Sequence, residues 1–127
     1  MSSAVFDASA LLAMVFAEPG AEQAVAYLRG GRVSAVNYSE AGSKLIEKGF
    51  DAADAFALLG ALGLDIAPFD SEAAISAAAL RPISRQFGLS FADRACLALA
   101  IADQTSAITA DRVWSQLDVS CSVVLIR

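Results

Sequence analysis

The stretch AVFDASALLAMVFA, residues 4–17, decides how the chain begins to fold. Its first three residues have the residue types of a buried strand, and the apolar run from Ser9 has helical spacing. The stretch therefore predicts a strand that passes directly into a helix, with Asp7 at the junction. Asp7 is either the cap of that helix or a ligand of a metal ion at the end of the strand. The local sequence leaves both interpretations open.

The rest of the chain repeats this alternation of short β-branched runs and longer runs rich in Ala and Leu. Strands are predicted at residues 4–6, 33–36, 64–69, 106–109 and 122–126, and helices at 9–17, 21–30, 38–49, 51–63, 70–88 and 91–103. Pro82 is expected to end or kink its helix near Leu80. Left-handed caps are expected at the glycines that follow helical runs, Gly30, Gly49, Gly63 and Gly88. Because parallel strands need helical crossovers, the alternation predicts an α/β sandwich with a mainly parallel sheet.

Length and composition fit one compact domain that spans residues 1–127. Hydrophobic residues make up 57% of the 127, but they are spread through periodic segments. The longest weakly charged stretch, residues 56–69, is shorter than the roughly 20 apolar residues that a membrane-spanning helix needs. The apolar run at residues 10–21 lacks the basic residues that precede the core of a signal peptide. The sequence therefore predicts a cytoplasmic protein with no membrane partner.

Histidine is absent from the sequence, and Cys96 and Cys121 are its two cysteines. The lack of histidine excludes nucleophilic sites that pair Ser or Cys with His, and zinc sites that use His. Two distant cysteines without a CxxC motif indicate neither a disulfide framework nor a thiolate metal site. Any chemistry must then rest on carboxylates and hydroxyls.

Four carboxylates are predicted to meet at one edge of the sheet. Asp7, Glu40 and Asp111 follow predicted strands, and Asp93 enters a helix that needs only to pack across the same edge. Open parallel sheets bind ligands outside the carboxyl ends of their strands, where the strand order reverses. Each acid also has a purely structural interpretation. Asp7 and Asp111 would cap the segments that follow them, whereas Glu40 and Asp93 each lie three residues after an Asn or Ser, as in a capping box.

Convergence of these acids would be costly without a cation. Carboxylates at a partly buried edge repel each other by roughly 4 kcal/mol per close pair at an effective dielectric constant near 20. A hard divalent cation relieves this repulsion, and oxygen ligands without His or Cys suit Mg²⁺ or Mn²⁺. Because such ions act on phosphoryl oxygens and activate water, the four acids predict hydrolysis of phosphodiesters.

The net charge of −5 at first argues against a nucleic-acid partner. Removing the four candidate ligands from the 14 acidic residues leaves 10, against 9 basic ones, so the remaining surface is nearly neutral. Arg94, Arg112 and Lys44 lie beside the acids and are candidate contacts for substrate phosphates. Lys44 also has the spacing of an i, i+4 ion pair with Glu40, which is the stronger expectation for it.

Two hydroxyls and two aromatic residues complete the candidates. Ser9 and Thr109 each lie two residues from a candidate ligand and would hydrogen-bond a carboxylate or a water, although local turn bonding explains them equally well. Tyr38 and Trp114 have the side chains that stack on bases, but packing in the core or at its rim is the stronger expectation for both.

Four segments, taken in order, resemble the successive motifs of PIN-domain ribonucleases, in particular the VapC-type toxins of bacterial toxin–antitoxin pairs. These segments are VFDASALLAMVFAEPG (5–20), SAVNYSEAGSKL (34–45), GLSFADRACLALA (88–100) and AITADRVW (107–114). The resemblance covers nearly the whole chain. Any one motif is weak, but the ordered set with its spacing is specific.

The resemblance implies a PIN-like three-layer α/β/α sandwich with a central, mainly parallel sheet of four to five strands. It implies an endoribonuclease that cleaves RNA by metal-activated water, forms a homodimer and is inhibited by a small cognate antitoxin that inserts a peptide near the acids. Residues 50–88 carry no recognisable motif, so the RNA target stays open. By position, the acidic quartet that binds Mg²⁺ or Mn²⁺ and carries the catalysis is Asp7, Glu40, Asp93 and Asp111, with Ser9 and Thr109 as supporting hydroxyls.

Other functions remain open on the sequence. A phosphatase or phosphotransferase would use Asp7 as a covalent nucleophile. A haloacid-dehalogenase-like site of this kind requires a second acid two residues later, where this chain has Ser9. A receiver-like domain requires a lysine near the end of the chain, whereas the last lysine of this sequence is Lys48. A housekeeping PIN nuclease, or a catalytically inert PIN-like domain that binds RNA or protein, remains the alternative to a toxin.

Overall fold

The computed structural model describes residues 4–127. Five strands and seven α-helices alternate in this part of the chain, as the sequence predicts. The strands are β1 (Val5–Phe6), β2 (Arg32–Ser34), β3 (Asp65–Ala67), β4 (Ser106–Thr109) and β5 (Ser122–Leu125). The helices are α1 (Ala8–Val15), α2 (Ala21–Val25), α3 (Ala35–Glu47), α4 (Ala52–Gly60), α5 (Ser71–Ala79), α6 (Arg81–Phe87) and α7 (Phe91–Ala102), and a 3₁₀ turn covers Arg112–Gln116.

The strands form one sheet in the order β3-β2-β1-β4-β5, and every pair within it is parallel. Val5 in the central strand pairs with Arg32 on one side and with Ala107 on the other. The chain builds outward from β1 through β2 to β3 and then returns to the far side of β1 with β4. The prediction of a mainly parallel sheet of four to five strands is therefore confirmed.

Two apolar cores lie on opposite faces of the sheet, because successive side chains of a strand point to opposite sides. Phe6 packs with Leu11 and Leu45, among others, in the core beneath α1, α3 and α4. Its neighbour Val5 packs with Leu97 and others in the core beneath α7. Helices thus cover both faces of the sheet, and the three-layer α/β/α architecture is confirmed.

The second strand ends earlier than the sequence predicts. Residues 35 and 36 belong to helix α3, because the Ser34 side chain caps that helix by accepting a hydrogen bond from the Val36 N–H (3.2 Å). The strand predicted at 33–36 is wrong at this boundary, and so is the capping box of Asn37 with Glu40. Glu40 instead lies in the second turn of α3, where its side chain does not cap the helix.

The break predicted near Leu80 is confirmed. The predicted helix at residues 70–88 divides at Leu80 into α5 and α6, with Pro82 in the first turn of α6. The four glycines predicted as left-handed caps all have positive φ. However, α2 ends at Val25 and α4 at Gly60, so Gly30 and Gly63 lie in the turns beyond those helices and do not cap them. No helix within residues 4–127 has both the length and the apolar character needed to cross a membrane.

Candidate active site at the carboxyl edge of the sheet

The central strand β1 lies where the strand order reverses. The chain adds β2 and β3 on one side of β1, and then returns to add β4 and β5 on the other side. Such a switch point opens a crevice at the carboxyl edge of a parallel sheet. Asp7 directly follows β1, and Thr109 is the last residue of β4. The first candidate ligand therefore lies in the position that the topology favours for a ligand.

The Asp7 carboxylate is held in place by both neighbouring segments. Its Oδ1 accepts hydrogen bonds from the Ser9 hydroxyl (2.7 Å) and from the Ala10 N–H (2.9 Å), which makes Asp7 the cap of α1. Its Oδ2 accepts a hydrogen bond from the Thr109 hydroxyl. Ser9 in turn accepts a hydrogen bond from the Ala110 N–H (2.9 Å). The two hydroxyls tie the ends of β1 and β4 to one carboxylate, so Asp7 is both a cap and a group with a fixed orientation.

Burial dominates the electrostatics of Asp7. Its side chain is almost fully enclosed, with 5% of the residue surface exposed. Burial raises the pKa of Asp7 from 3.8 to about 6, the nearby charge of Asp93 adds to the rise, and hydrogen bonds from Thr109, Ser9 and Ala10 oppose it. The fold therefore holds a carboxylate whose charge is poorly solvated, a feature more common at functional sites than at simple caps.

Two further candidate acids also cap helical segments. Asp93 forms the predicted capping box with Ser90: its Oδ2 accepts from the Ser90 N–H (2.9 Å), and the Ser90 hydroxyl accepts from the Asp93 N–H (3.1 Å). Asp111 caps the 3₁₀ turn by accepting from the Val113 N–H (3.1 Å). The structural interpretation of these residues is thus confirmed, and each leaves a carboxylate oxygen at the same edge of the sheet.

Glu40 approaches the group from α3. Burial raises the pKa of its carboxyl group, Lys44 lowers it, and the charge of Asp93 raises it again. The pKa of Asp93 is likewise raised, first by burial and also by Asp111, and Lys44 opposes the rise. Asp93 thus interacts with all three other acids, and the exposed ammonium of Lys44 lies close enough to influence two of them.

The fully buried side chain of Asn37 holds α3 against the start of α7. Its Nδ2 donates to the Ala92 carbonyl (2.9 Å), and its amide lies beside Glu40 and lowers the pKa of that residue. Its Oδ1 has no hydrogen-bond partner among residues 4–127. Asn37 therefore links the two helices that carry Glu40 and Asp93, a role that its spacing from Glu40 does not predict.

The four acids offer only oxygen atoms as metal ligands, and oxygen atoms are the ligands that hard divalent cations prefer. The raised pKa values show an excess of poorly solvated negative charge, which a cation would relieve. Within residues 4–127, however, no three acidic or cysteine side chains are arranged so that they could hold a metal ion together. The donors therefore fit a cation by type and charge, and their assignment as ligands is a proposal.

The sequence matches the PIN domain family over residues 4–120. The chain belongs to the PIN domain family. No curated protein is similar enough in sequence to give a significant match.

The PIN fold is shared with the structure of DNA-bound VapBC from Salmonella typhimurium (TM-score 0.77, 16% identity, all of both chains covered). It is also shared with VapBC-5 from Mycobacterium tuberculosis (TM-score 0.69, 20% identity, 98% of this chain and 99% of that chain). A third similar structure is VapBC2 from Rickettsia felis bound to a promoter DNA fragment (TM-score 0.74, 14% identity, 96% and 97%).

The basic residues predicted to contact phosphates differ in exposure and in their contacts within this PIN domain. Lys44 and Arg112 are exposed, and Lys44 lies near the acids. Arg94 instead turns towards α5, where its Nη1 donates to the Ala77 carbonyl (3.3 Å). Its guanidinium lies 5.8 Å from the centre of the Phe91 ring.

Both aromatic residues singled out in the sequence serve the packing of the PIN domain. Trp114 is fully buried in the core beneath α7. Tyr38 packs on Phe56, with ring centres 5.2 Å apart. The stronger expectation for both residues, packing in or beside the core, is therefore confirmed.

The opposite, amino edge of the sheet carries a polar cavity, but it is a poor candidate for the reaction. Ser106, Ser120, Ser122 and Cys121 line it near the starts of β4 and β5. None of its lining residues is charged, and burial raises the pKa of the Cys121 thiol, which disfavours a reactive thiolate. The acidic carboxyl edge is the candidate active site.

Proposed function

We propose that this chain, as one PIN-like nuclease domain over residues 1–127, is a metal-dependent endoribonuclease that hydrolyses RNA phosphodiester bonds. The observation that carries the proposal is the buried, raised-pKa carboxylate of Asp7 at the switch point of a PIN fold, with three further acids around it. The proposed ligands of Mg²⁺ or Mn²⁺, and the groups on which catalysis depends, are Asp7, Glu40, Asp93 and Asp111.

Each side chain has a definite part in this proposal. When bound, a divalent cation would supply positive charge against the phosphoryl oxygens and activate water for attack. Ser9 and Thr109 keep both oxygens of Asp7 oriented by hydrogen bonds, and such supporting partners typically raise metal affinity or activity by about 10- to 100-fold. Lys44 and Arg112 are the exposed basic groups available to the phosphates.

Hydrolysis needs no covalent intermediate on the protein. Water forms a new bond to phosphorus, the bond to the leaving ribose oxygen breaks, and that oxygen takes up a proton. Asp7 Oδ1 already accepts two hydrogen bonds, from Ser9 and Ala10, whereas Oδ2 accepts one, from Thr109, and keeps a lone pair for a cation.

Removal of divalent cations tests the proposal. The purified protein is expected to cleave structured RNA with Mg²⁺ or Mn²⁺, to stop when EDTA is in excess, and to resume when Mg²⁺ is restored. Gel analysis of total RNA measures cleavage with the cation, with EDTA in excess and after Mg²⁺ is restored. Cleavage that persists in EDTA would contradict the metal requirement.

A binding-only PIN domain is the second candidate function, because no three acids of the described chain are arranged to hold a metal. It predicts that RNA is retained equally with Mg²⁺ and with EDTA, and that no fragment of total RNA is cleaved. The same gels, together with a filter-binding measurement, separate the two functions.

We also propose that the chain is the toxin of a cytoplasmic toxin–antitoxin pair, forms a homodimer and is inhibited by a small cognate antitoxin. The support is the sequence resemblance to VapC-type toxins and the fold shared with the VapBC structures. Co-expression with the product of the adjacent open reading frame is expected to yield a complex that contains two copies of this chain and has no nuclease activity. A monomer that does not bind the product of any neighbouring open reading frame and keeps its nuclease activity would contradict the proposed toxin–antitoxin pair.

A further inference from the structure

An exposed aromatic ring lies at the start of α7, two residues before Asp93. Phe91 is the first residue of this helix, and 51% of its surface is exposed. Phe69, just beyond the end of β3, meets it edge to face, with ring centres 5.4 Å apart and an interplanar angle of 89°. The ring is therefore fixed by a neighbour along its edge while much of it faces solvent.

A positive charge accompanies this ring. The guanidinium of Arg94 lies 5.8 Å from the centre of Phe91 and is anchored by its hydrogen bond to the Ala77 carbonyl on α5. The Nε of Arg94 is buried and has no hydrogen-bond partner among residues 4–127. An aromatic face beside an arginine is the combination on which proteins stack unpaired bases while neutralising the adjacent phosphate.

The ring shares the carboxyl edge of the sheet with the acids. Phe69 lies two residues beyond the end of β3, and β3 is two strand positions from β1, where Asp7 lies. Neighbouring strands are about 4.8 Å apart, so the two positions are separated by about 10 Å along the edge. A short single strand that presents a phosphate to the acids would bring a nearby base to Phe91.

We propose that Phe91, supported by Phe69 and Arg94, is a stacking position for one unpaired base of the RNA substrate, close to the bond that is cleaved. This inference rests on the proposed ribonuclease function and adds a residue outside the acidic group that contacts the substrate. Bases within a duplex are already stacked, so the cleaved bond lies in a single strand or loop. Stacking accepts any base, so Phe91 contributes affinity and position and not sequence choice.

The surroundings of the ring favour a nucleic acid over a second protein surface. Ser90 and Asp70 cap α7 and α5 beside it, and both are exposed and polar. Contacts that bury an aromatic ring between protein copies have cores depleted of charged residues. An exposed ring with a guanidinium beside it fits a base and its phosphate better.

Binding of a fluorescent RNA tests this position. The probe is a single-stranded oligonucleotide with 2-aminopurine, added with Mg²⁺ to the Asp7→Asn background so that it is not cleaved. Phe91→Leu is expected to weaken binding about 5- to 150-fold and to abolish the quenching of 2-aminopurine, whereas Phe91→Trp retains both. The matched control is Tyr27→Leu, which removes an aromatic ring of similar exposure (41%) from the loop before β2, at the amino edge. It is expected to leave binding unchanged.

The outcomes separate this inference from the function on which it rests. Equal affinity of the Phe91→Leu and parent proteins, with RNA still cleaved by the wild type, overturns the stacking position alone. A change of Phe91→Leu from dimer to monomer in sedimentation also overturns it, because the ring would then belong to a contact between subunits. A wild type that neither binds nor cleaves RNA overturns both. If Phe91→Leu fails to fold, the quenching and affinity of Phe91→Trp decide: loss of either contradicts the inference.

Discussion

The Asp7→Asn variant is expected to cleave RNA at least about a thousandfold more slowly than the wild type, at saturating Mg²⁺ and neutral pH. The substitution removes the negative charge that the proposed cation needs but keeps the shape of the side chain. Asparagine is as good a helix cap as aspartate, so its Oδ1 still accepts from Ser9 and from the Ala10 N–H. Initial rates on a fixed RNA, together with circular dichroism, measure activity and fold separately.

The matched control for this prediction is Asp51→Asn. Asp51 also caps a helix, by accepting from the Asp54 N–H (2.8 Å) at the start of α4, but it is exposed and lies away from the acidic group. Its substitution is expected to leave the cleavage rate within twofold of the wild type. Equal rates for wild type, Asp7→Asn and Asp51→Asn would show that Asp7 is only a cap.

The stability of the metal-free protein is expected to fall as pH rises through the range in which Asp7 ionises. The pKa of Asp7 is 3.8 when unperturbed and about 6 in the fold, so the folded state binds this proton more tightly than the unfolded state. The stabilisation is complete below about pH 3.8 and is lost as pH rises through 6. Its full size is about 3 kcal/mol, as an order of magnitude. Urea unfolding in EDTA at pH 4.5 and 7.5 is expected to detect about 2 kcal/mol of it, because pH 4.5 already lies above the unperturbed pKa.

Comparison with Asp7→Asn isolates this contribution from the other titrating groups. Asparagine has no charge to desolvate, so the variant is expected to gain stability relative to the wild type as pH rises. Burial also raises the pKa values of Glu40 and Asp93, and both proteins keep these acids, so their contributions cancel in the difference apart from the coupling of Asp93 to Asp7. A constant difference in unfolding free energy between pH 4.5 and 7.5 would contradict the burial of a charged Asp7. A gain in stability with a loss of activity is the pattern expected of a functional group that strains the fold.

The fold was predictable because its signals are local and repeated. Five β-branched runs, the helical spacing between them and the break at Pro82 each act within a few residues, and the structure confirms them. The boundary of β2 was not predictable in the same way, because Val36 is a good strand residue. The Ser34 hydroxyl nevertheless starts the helix there by accepting the Val36 N–H. One capping hydrogen bond thus outweighed the strand preference of Val36.

The candidate site was predictable to the level of residue type and less so in its contacts. The position of Asp7 between a strand and a helix predicts its cap, and its spacing from Ser9 predicts the hydrogen bond between them. The contact with Thr109 depends on the pairing of β1 with β4, which are about 100 residues apart in the chain. The clamp made by Asn37 depends on how α3 packs against α7. Such contacts follow from tertiary packing, so local sequence does not reveal them.

The central claim is that activated water hydrolyses RNA at this acidic edge, and cleavage in water enriched in ¹⁸O tests it most directly. With Mg²⁺ present, mass spectrometry of the first products is expected to find one ¹⁸O in the terminal phosphate formed at each cleavage and none in the hydroxyl end formed with it. No product is expected in EDTA. Products that end in a 2′,3′-cyclic phosphate without ¹⁸O, formed equally with Mg²⁺ and with EDTA, would contradict the account, because the attacking oxygen would then be the ribose hydroxyl and not water.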